Sequence, residues 1–215
     1  MKFKSIKTLP KNMFRDSTSL ESITIPSGIE EIGSDAFNSC DSLKTCILPE
    51  GVKTIEDGMF FNCHLLNDIR IPDSVEEIRE EAFYNCYSLK NCILPKSIKI
   101  IGVKSFYGCE SLSDVYIPDC VEELGEKVFA DCTGIRKFSL GKKLFERLFL
   151  TIINRINEII KSEYYTEEFI VFLRELVRVD KNYKDPEDQL SQKVILLFSY
   201  FIGIDFTKVS LEIRK

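Results

Sequence analysis

The apolar residues of this chain fall on a fixed grid. In the stretch Glu-Ser-Ile-Thr-Ile-Pro, residues 21–26, they alternate with polar residues, which is the period of a half-buried strand. Ile23 and Ile25 are expected to point inward, and Ser22 and Thr24 outward. Pro26 has no N–H to give, so it ends the pairing. Ile29 and Ile32 supply a second apolar wall. Ala36 and Phe37 are predicted to sit on a short helical turn, with Ser34, or Asp57 in the next row, as N-cap.

The grid returns every 23 residues. Leucine stands at Leu20, Leu43, Leu66, Leu89 and Leu112, with Ile135 closing the series. Prolines recur from Pro26 to Pro118, phenylalanines from Phe14 to Phe129 and cysteines from Cys40 to Cys132 in the same step. Five copies hold this register without insertion. A half copy (Phe3, Ile6, Leu9, Met13, Phe14) precedes them, and a final strand (Ile135, Phe138, Leu140) follows. One such coil cannot bury its own apolar side; stacking its neighbours does, and each residue type becomes a ladder along the axis. The phenylalanines become a spine and the cysteines a file beside it.

The 23-residue unit, its Leu-x-x-Ile-x-Ile-Pro strand and its Ala-Phe-x-x-Cys turn are carried by LNDIRIPDSVEEIREEAFYNC, residues 66–86. They resemble the BspA-like leucine-rich repeats over about residues 3–140. The resemblance implies a right-handed leucine-rich repeat solenoid, with parallel strands on one face and short helical turns opposite. It also implies binding to proteins or cell surfaces, and it brings no catalytic residues. The solenoid is expected over residues 1–141, with about six coils.

The outward strand positions carry the functional expectation. One column reads Thr24, Ile47, Arg70, Ile93, Tyr116, Ser139, and isoleucine and tyrosine facing solvent beside arginine resemble the anchors of a binding patch. The neighbouring column, Ser22, Thr45, Asp68, Asn91, Asp114, Lys137, forms a polar rim. Ile47, Arg70, Ile93 and Tyr116, with Asp68, Asn91 and Asp114, are therefore the candidate partner-binding residues. The bland alternatives are strand propensity alone and cover by the C-terminal segment. A second column, Glu30, Lys53, Glu76, Lys99, Glu122, alternates in sign and is read as registry and solubility.

The cysteine file is read as reduced, buried thiols. Five cysteines in line cannot all pair, and no C-x-x-C spacing marks a zinc site, so no metal and no cofactor is expected. Cys46 and Cys92 take the inward place held by Ile23, Ile69 and Val115, and Cys120 is read as a core or turn substitution. The lone histidine, His64, falls in a variable turn column and is read as solvated.

After Leu140 the period stops. Apolar residues from Leu144 to Ile160 take helical spacing, Thr166 is a candidate N-cap for a second helix, and Asp185-Pro186 opens a third that ends near Gly203. The tail FTKVSLEIRK alternates like a strand but fits a helix too. Residues 142–215 are thus expected as three helices, either capping the open solenoid end or forming a module that binds a partner or dimerises.

The 215 residues carry a net charge of -5, which argues against nucleic acid or an anionic membrane as main partner. No apolar run reaches membrane-spanning length, and MKFKSIKTLPKNMF has no apolar core of a secretory signal. With Met1 as natural start, an intracellular, cytoplasmic protein is expected. The leading function is a non-enzymatic protein-interaction scaffold of unknown partner, monomeric or dimeric through a solenoid end or the helices. The alternatives are a secreted or surface adhesin and a helical dimerisation module framed by the repeats. A hydrolase built on acids alone has no clustered candidate.

Overall fold

The computed structural model describes residues 6–141, 143–145, 147, 148, 203 and 210–214. Twelve strands are present among them: β1 (Thr8–Leu9), β2 (Ser22–Thr24), β3 (Glu31–Ile32), β4 (Thr45–Ile47), β5 (Thr54–Ile55), β6 (Asp68–Arg70), β7 (Glu77–Ile78), β8 (Ile100–Ile101), β9 (Asp114–Ile117), β10 (Glu123–Leu124), β11 (Lys137–Gly141) and β12 (Ser210–Arg214). Every pairing is parallel, so each coil enters in the same direction as the last. Within the repeats, partners lie one period apart, as in Ser22–Thr45–Asp68 on one wall and Thr54–Glu77–Ile100–Glu123 on the other. The 23-residue period therefore sets the register of both ladders.

The third side of each coil differs from the expected helical turn. Residues 34–39 are turns, with Asp35 at φ 55° and Ser39 at φ 58°. The same two left-handed positions recur in every coil, through Gly58 and Asn62, Glu81 and Asn85, Lys104 and Gly108, Lys127 and Asp131. A helix needs negative φ throughout and N–H groups directed back along its own axis. Here alternate N–H groups reach the next coil instead: Asp35 to Asp57 O (2.9 Å), Phe37 to Met59 O (2.9 Å) and Ser39 to Phe61 O (2.8 Å). The corner is a third backbone ladder, and Ser34 and Asp57 cap no helix. The Asp57 carboxylate instead accepts from the Glu80 N–H at 3.1 Å.

The core is a stack of like on like. Phe37, Phe60, Phe83, Phe106 and Phe129 are buried, with ring centroids 5.0–5.5 Å apart and planes within 10° of parallel. Beside them, each thiol of the cysteine file donates to the carbonyl of a phenylalanine 26 residues earlier: Cys40 to Phe14, Cys63 to Phe37, Cys86 to Phe60, Cys109 to Phe83 and Cys132 to Phe106, at 3.0–3.3 Å. A small side chain with a weak donor suits a site that holds one spare carbonyl. All eight cysteines are free thiols.

At the C-terminal end, residues 143–145, 147 and 148 are helical and bury Leu144, Phe145 and Leu148. The Asp119 carboxylate accepts the Leu144 N–H at 3.1 Å, and a Cβ at Gly141 would land on that carboxylate. The tail resolves as strand: β12 pairs with β11 from Lys137–Ser210 to Gly141–Arg214. The helices expected from Thr166 and Asp185, and most of the first, lie outside the described residues.

Candidate interaction surface

The strand wall is the broadest surface that carries the expected site residues. β-Pleating turns every second side chain outward, so Ile47, Arg70 and Tyr116 face away from the core, and Ile93 is exposed at the matching place of a rung outside any strand. Ile47 is 60 % exposed, Ile93 83 % and Tyr116 41 %. Arg70 is exposed and donates to Glu50 at 3.2 Å; Asp68, Asn91 and Asp114 are exposed along the rim.

The wall is not continuous. β2, β4 and β6 form one sheet and β9, β11 and β12 another. Between them, residues 92–94 belong to no strand, and the fourth coil joins the third by a single bridge, Asp68–Asn91. The second and fourth rungs read Lys-Thr-Cys-Ile-Leu-Pro and Lys-Asn-Cys-Ile-Leu-Pro, differing only at Thr45 and Asn91. Threonine is β-branched and favours the pleated wall; asparagine competes with it through its own side chain. The Thr45 rung pairs on both sides, and Cys46 is 3 % exposed; the Asn91 rung keeps a single bridge, and Cys92 and Leu94 are only partly buried.

The opening is a groove of about 660 Å³. One bank is β6 with Asp73, the other Asn91, Ile93, Leu94 and Lys96. It brings together four of the expected residues, Asp68, Arg70, Asn91 and Ile93, and leaves Ile47, Asp114 and Tyr116 on flanking rungs. Leu94, Asp73 and Lys96 were not anticipated.

The other faces are structural in character. On the second wall the alternating column forms ion pairs: Lys7–Glu30 at 2.6 Å, Lys53–Glu76 at 3.3 Å and Lys99–Glu76 at 2.6 Å. Hydrogen bonds from Lys99 and Lys53 hold the Glu76 carboxyl below its usual range. On the turn side, Phe61, Tyr84 and Tyr107 stack at 4.8 and 4.7 Å. His64 stacks on Tyr87 at 4.9 Å, with its Nδ1 3.2 Å from the Asp41 carboxylate.

The thiols are poor nucleophiles. Burial pushes Cys63, Cys86 and Cys109 well up, and Cys46 and Cys92 to about 12. Among the described residues no group of three His, Cys, Asp or Glu side chains is placed to hold a metal ion, and no helix is long and apolar enough to cross a membrane.

Among curated proteins, none matches the chain in sequence. Solved structures do. A leucine-rich repeat protein from Bacteroides ovatus is 29% identical over 63% of this chain and 37% of its own, with a TM-score of 0.60. The T. pallidum leucine-rich repeat protein TpLRR is 35% identical over 55% of this chain and 58% of its own, with a TM-score of 0.53. This chain thus spans less than two thirds of the length of either. The model of the BspA type leucine-rich repeat region matches residues 7–136 in six copies. That match covers more than half of the sequence and lies within the solenoid, so the chain belongs to the BspA-type leucine-rich repeat family.

Proposed function

We propose that this chain is a non-enzymatic protein-interaction scaffold that docks a protein partner on its strand wall. One observation carries the reading: Ile47 and Ile93, 60 % and 83 % exposed, flank Arg70 on a wall that opens into a groove. Large aliphatic side chains held out in water are costly, and covering them favours association. The same wall would serve a partner inside the cell or, in the adhesin alternative, outside it.

The test is capture from source-cell lysate by the intact chain and by the double variant Ile47→Ser, Ile93→Ser. Both side chains are exposed, so the variant is expected to keep its fold and its thermal midpoint. A specific partner band lost in the variant supports the reading. A band retained at equal intensity overturns it. Fractionation of source cells with an antibody to the chain then decides between the interior and the surface.

A further inference from the structure

We infer that the groove at the fourth coil is a slot for an extended peptide, which enters as an additional strand beside β6. This rests on the reading of the strand wall as the docking surface, and it names the class of partner.

The geometry is that of a missing rung. β6 is fully paired on its β4 side and carries one bridge on the other. β9 is paired on its β11 side alone. Two strand edges therefore face the segment 92–94, which follows neither. Unpaired strand edges are templates for another chain. The opening is confined to this wall. Behind it, the third and fourth coils remain in register at Glu77–Ile100, with Phe83 and Phe106 5.0 Å apart and Tyr84 and Tyr107 4.7 Å apart. The slot is a wedge with a closed back, not a separation of the coils.

The occupant follows from the lining. The banks offer backbone edges and the aliphatic side chains of Ile93 and Leu94, bordered by Asp68, Arg70, Asp73, Asn91 and Lys96, a mixed lining spread along an open strand edge that suits an extended chain. The wall already accepts a strand from outside the repeats, since β12 continues the ladder beyond β11 over five paired positions. Charge narrows the choice further. Asp68 stands beside Asn91 at one end of the slot and Asp73 at the other, with Asp114 on the flanking rung. Among the described residues, Asp68, Asp73 and Asp114 are held in no ion pair, whereas Arg70 is tied to Glu50. The complement is an extended segment with alternating apolar residues over Ile93 and Leu94 and a basic residue at the Asp68 end.

The experiment uses the full chain and a fluorescein-labelled, end-blocked peptide, Arg-Val-Thr-Val-Thr-Ile, followed by anisotropy. Saturable binding is expected. N-methylation of alternate peptide amides removes the strand hydrogen bonds but keeps the side chains, and is expected to weaken binding at least tenfold. Asn91→Thr, which gives the fourth rung the sequence of the second, is expected to close the slot and weaken binding to the same degree while leaving Ile93 in place. Should that variant misfold, Ile93→Ser serves instead, with the same loss expected. Absence of saturable binding, or equal affinity for the N-methylated peptide or for the Asn91→Thr chain, overturns the inference. If the peptide fails yet the Ile47, Ile93 double variant still loses its protein partner, the scaffold reading stands and the strand-insertion mode alone is discarded.

Discussion

The ring of Phe138 meets the ring of Phe129 edge-on, with centroids 5.7 Å apart and planes at 71°. Every earlier contact in that file is nearly parallel. Phe138 lies on β11, at the inward place held by Val115 one coil earlier. It reaches the exposed end of the spine and closes it with the positive edge of one ring on the negative face of the other. Phe138→Ala is expected to cost roughly 3–5 kcal/mol, the usual range for emptying a packed aromatic site. An unchanged denaturant midpoint would mean that the spine needs no closure.

The buried thiols predict a dependence on alkaline pH. The folded values of Cys46 and Cys92, about 12, lie above the ordinary thiol value of 9.0. The folded chain then holds its protons longer than the unfolded one. Stability is expected to be intact below about pH 9 and to fall as pH rises toward 12, by at most about 1.4 kcal/mol per pH unit for buried Cys46 and by less for partly buried Cys92. Cys46→Val removes one such thiol and is expected to flatten the slope of midpoint against pH. At neutral pH, alkylation of the native chain should leave Cys63, Cys86 and Cys109 unlabelled; their rapid labelling would refute the packed file.

Glu76 lies between two lysines, and its replacement reverses both contacts. Glu76→Lys places three like charges one coil apart beside Lys53 and Lys99. The thermal midpoint is expected to drop at low ionic strength and to recover as salt rises, because these side chains are open to solvent. A drop independent of salt would point to packing and not to charge.

Glu81 sits at φ 54°, in the left-handed region where a side chain is strained. Glu81→Gly is expected to raise stability by about 0.5 kcal/mol, the relief of strain less the entropy gained by the unfolded chain. Glu81→Val, with its branched Cβ, is expected to lower it by roughly 1–2 kcal/mol. Thermal melts of the two variants check the sign of each effect.

β12 covers the edge of β11 at the end of the strand wall. Removal of residues 210–215 leaves that edge open, and open edges recruit other chains. Concentration-dependent association in sedimentation is expected of the shortened chain. If it stays as dispersed as the intact chain, β12 is not what guards the edge.

Much of the solenoid was legible because its period is exact in the residues that stack. Phenylalanine every 23 residues can serve a spine only if the coils are in register, and the pairings show that register. The left-handed corner was legible in half. Asp16, Ser39, Asn62, Asn85, Gly108 and Asp131 form a column of types that are small or tolerate positive φ, but the companion column includes Glu81, Lys104 and Lys127, which do not advertise it. The helical reading rested on the Ala-Phe pair, the capping candidates Ser34 and Asp57, and the family resemblance. The ladder of backbone bonds between coils overrode it, since alternate corner N–H groups have a carbonyl waiting one coil away.

The candidate surface divides along the same line. The sequence by itself determined that Thr24, Ile47, Arg70 and Tyr116 are exposed on the strand wall, because alternation within a rung is local and the period copies it from coil to coil; Ser139, next in that column, is buried. The sequence could not determine where that wall breaks. Two rungs that differ only at Thr45 and Asn91 take different paths, one paired on both sides and one swung out of the ladder. Pairing is a property of three neighbouring coils together, which no single rung spells out. The strand identity of residues 210–214 has the same origin. An alternating tail satisfies strand or helix equally well, and the open edge of β11, brought within reach only by the fold, decided between them.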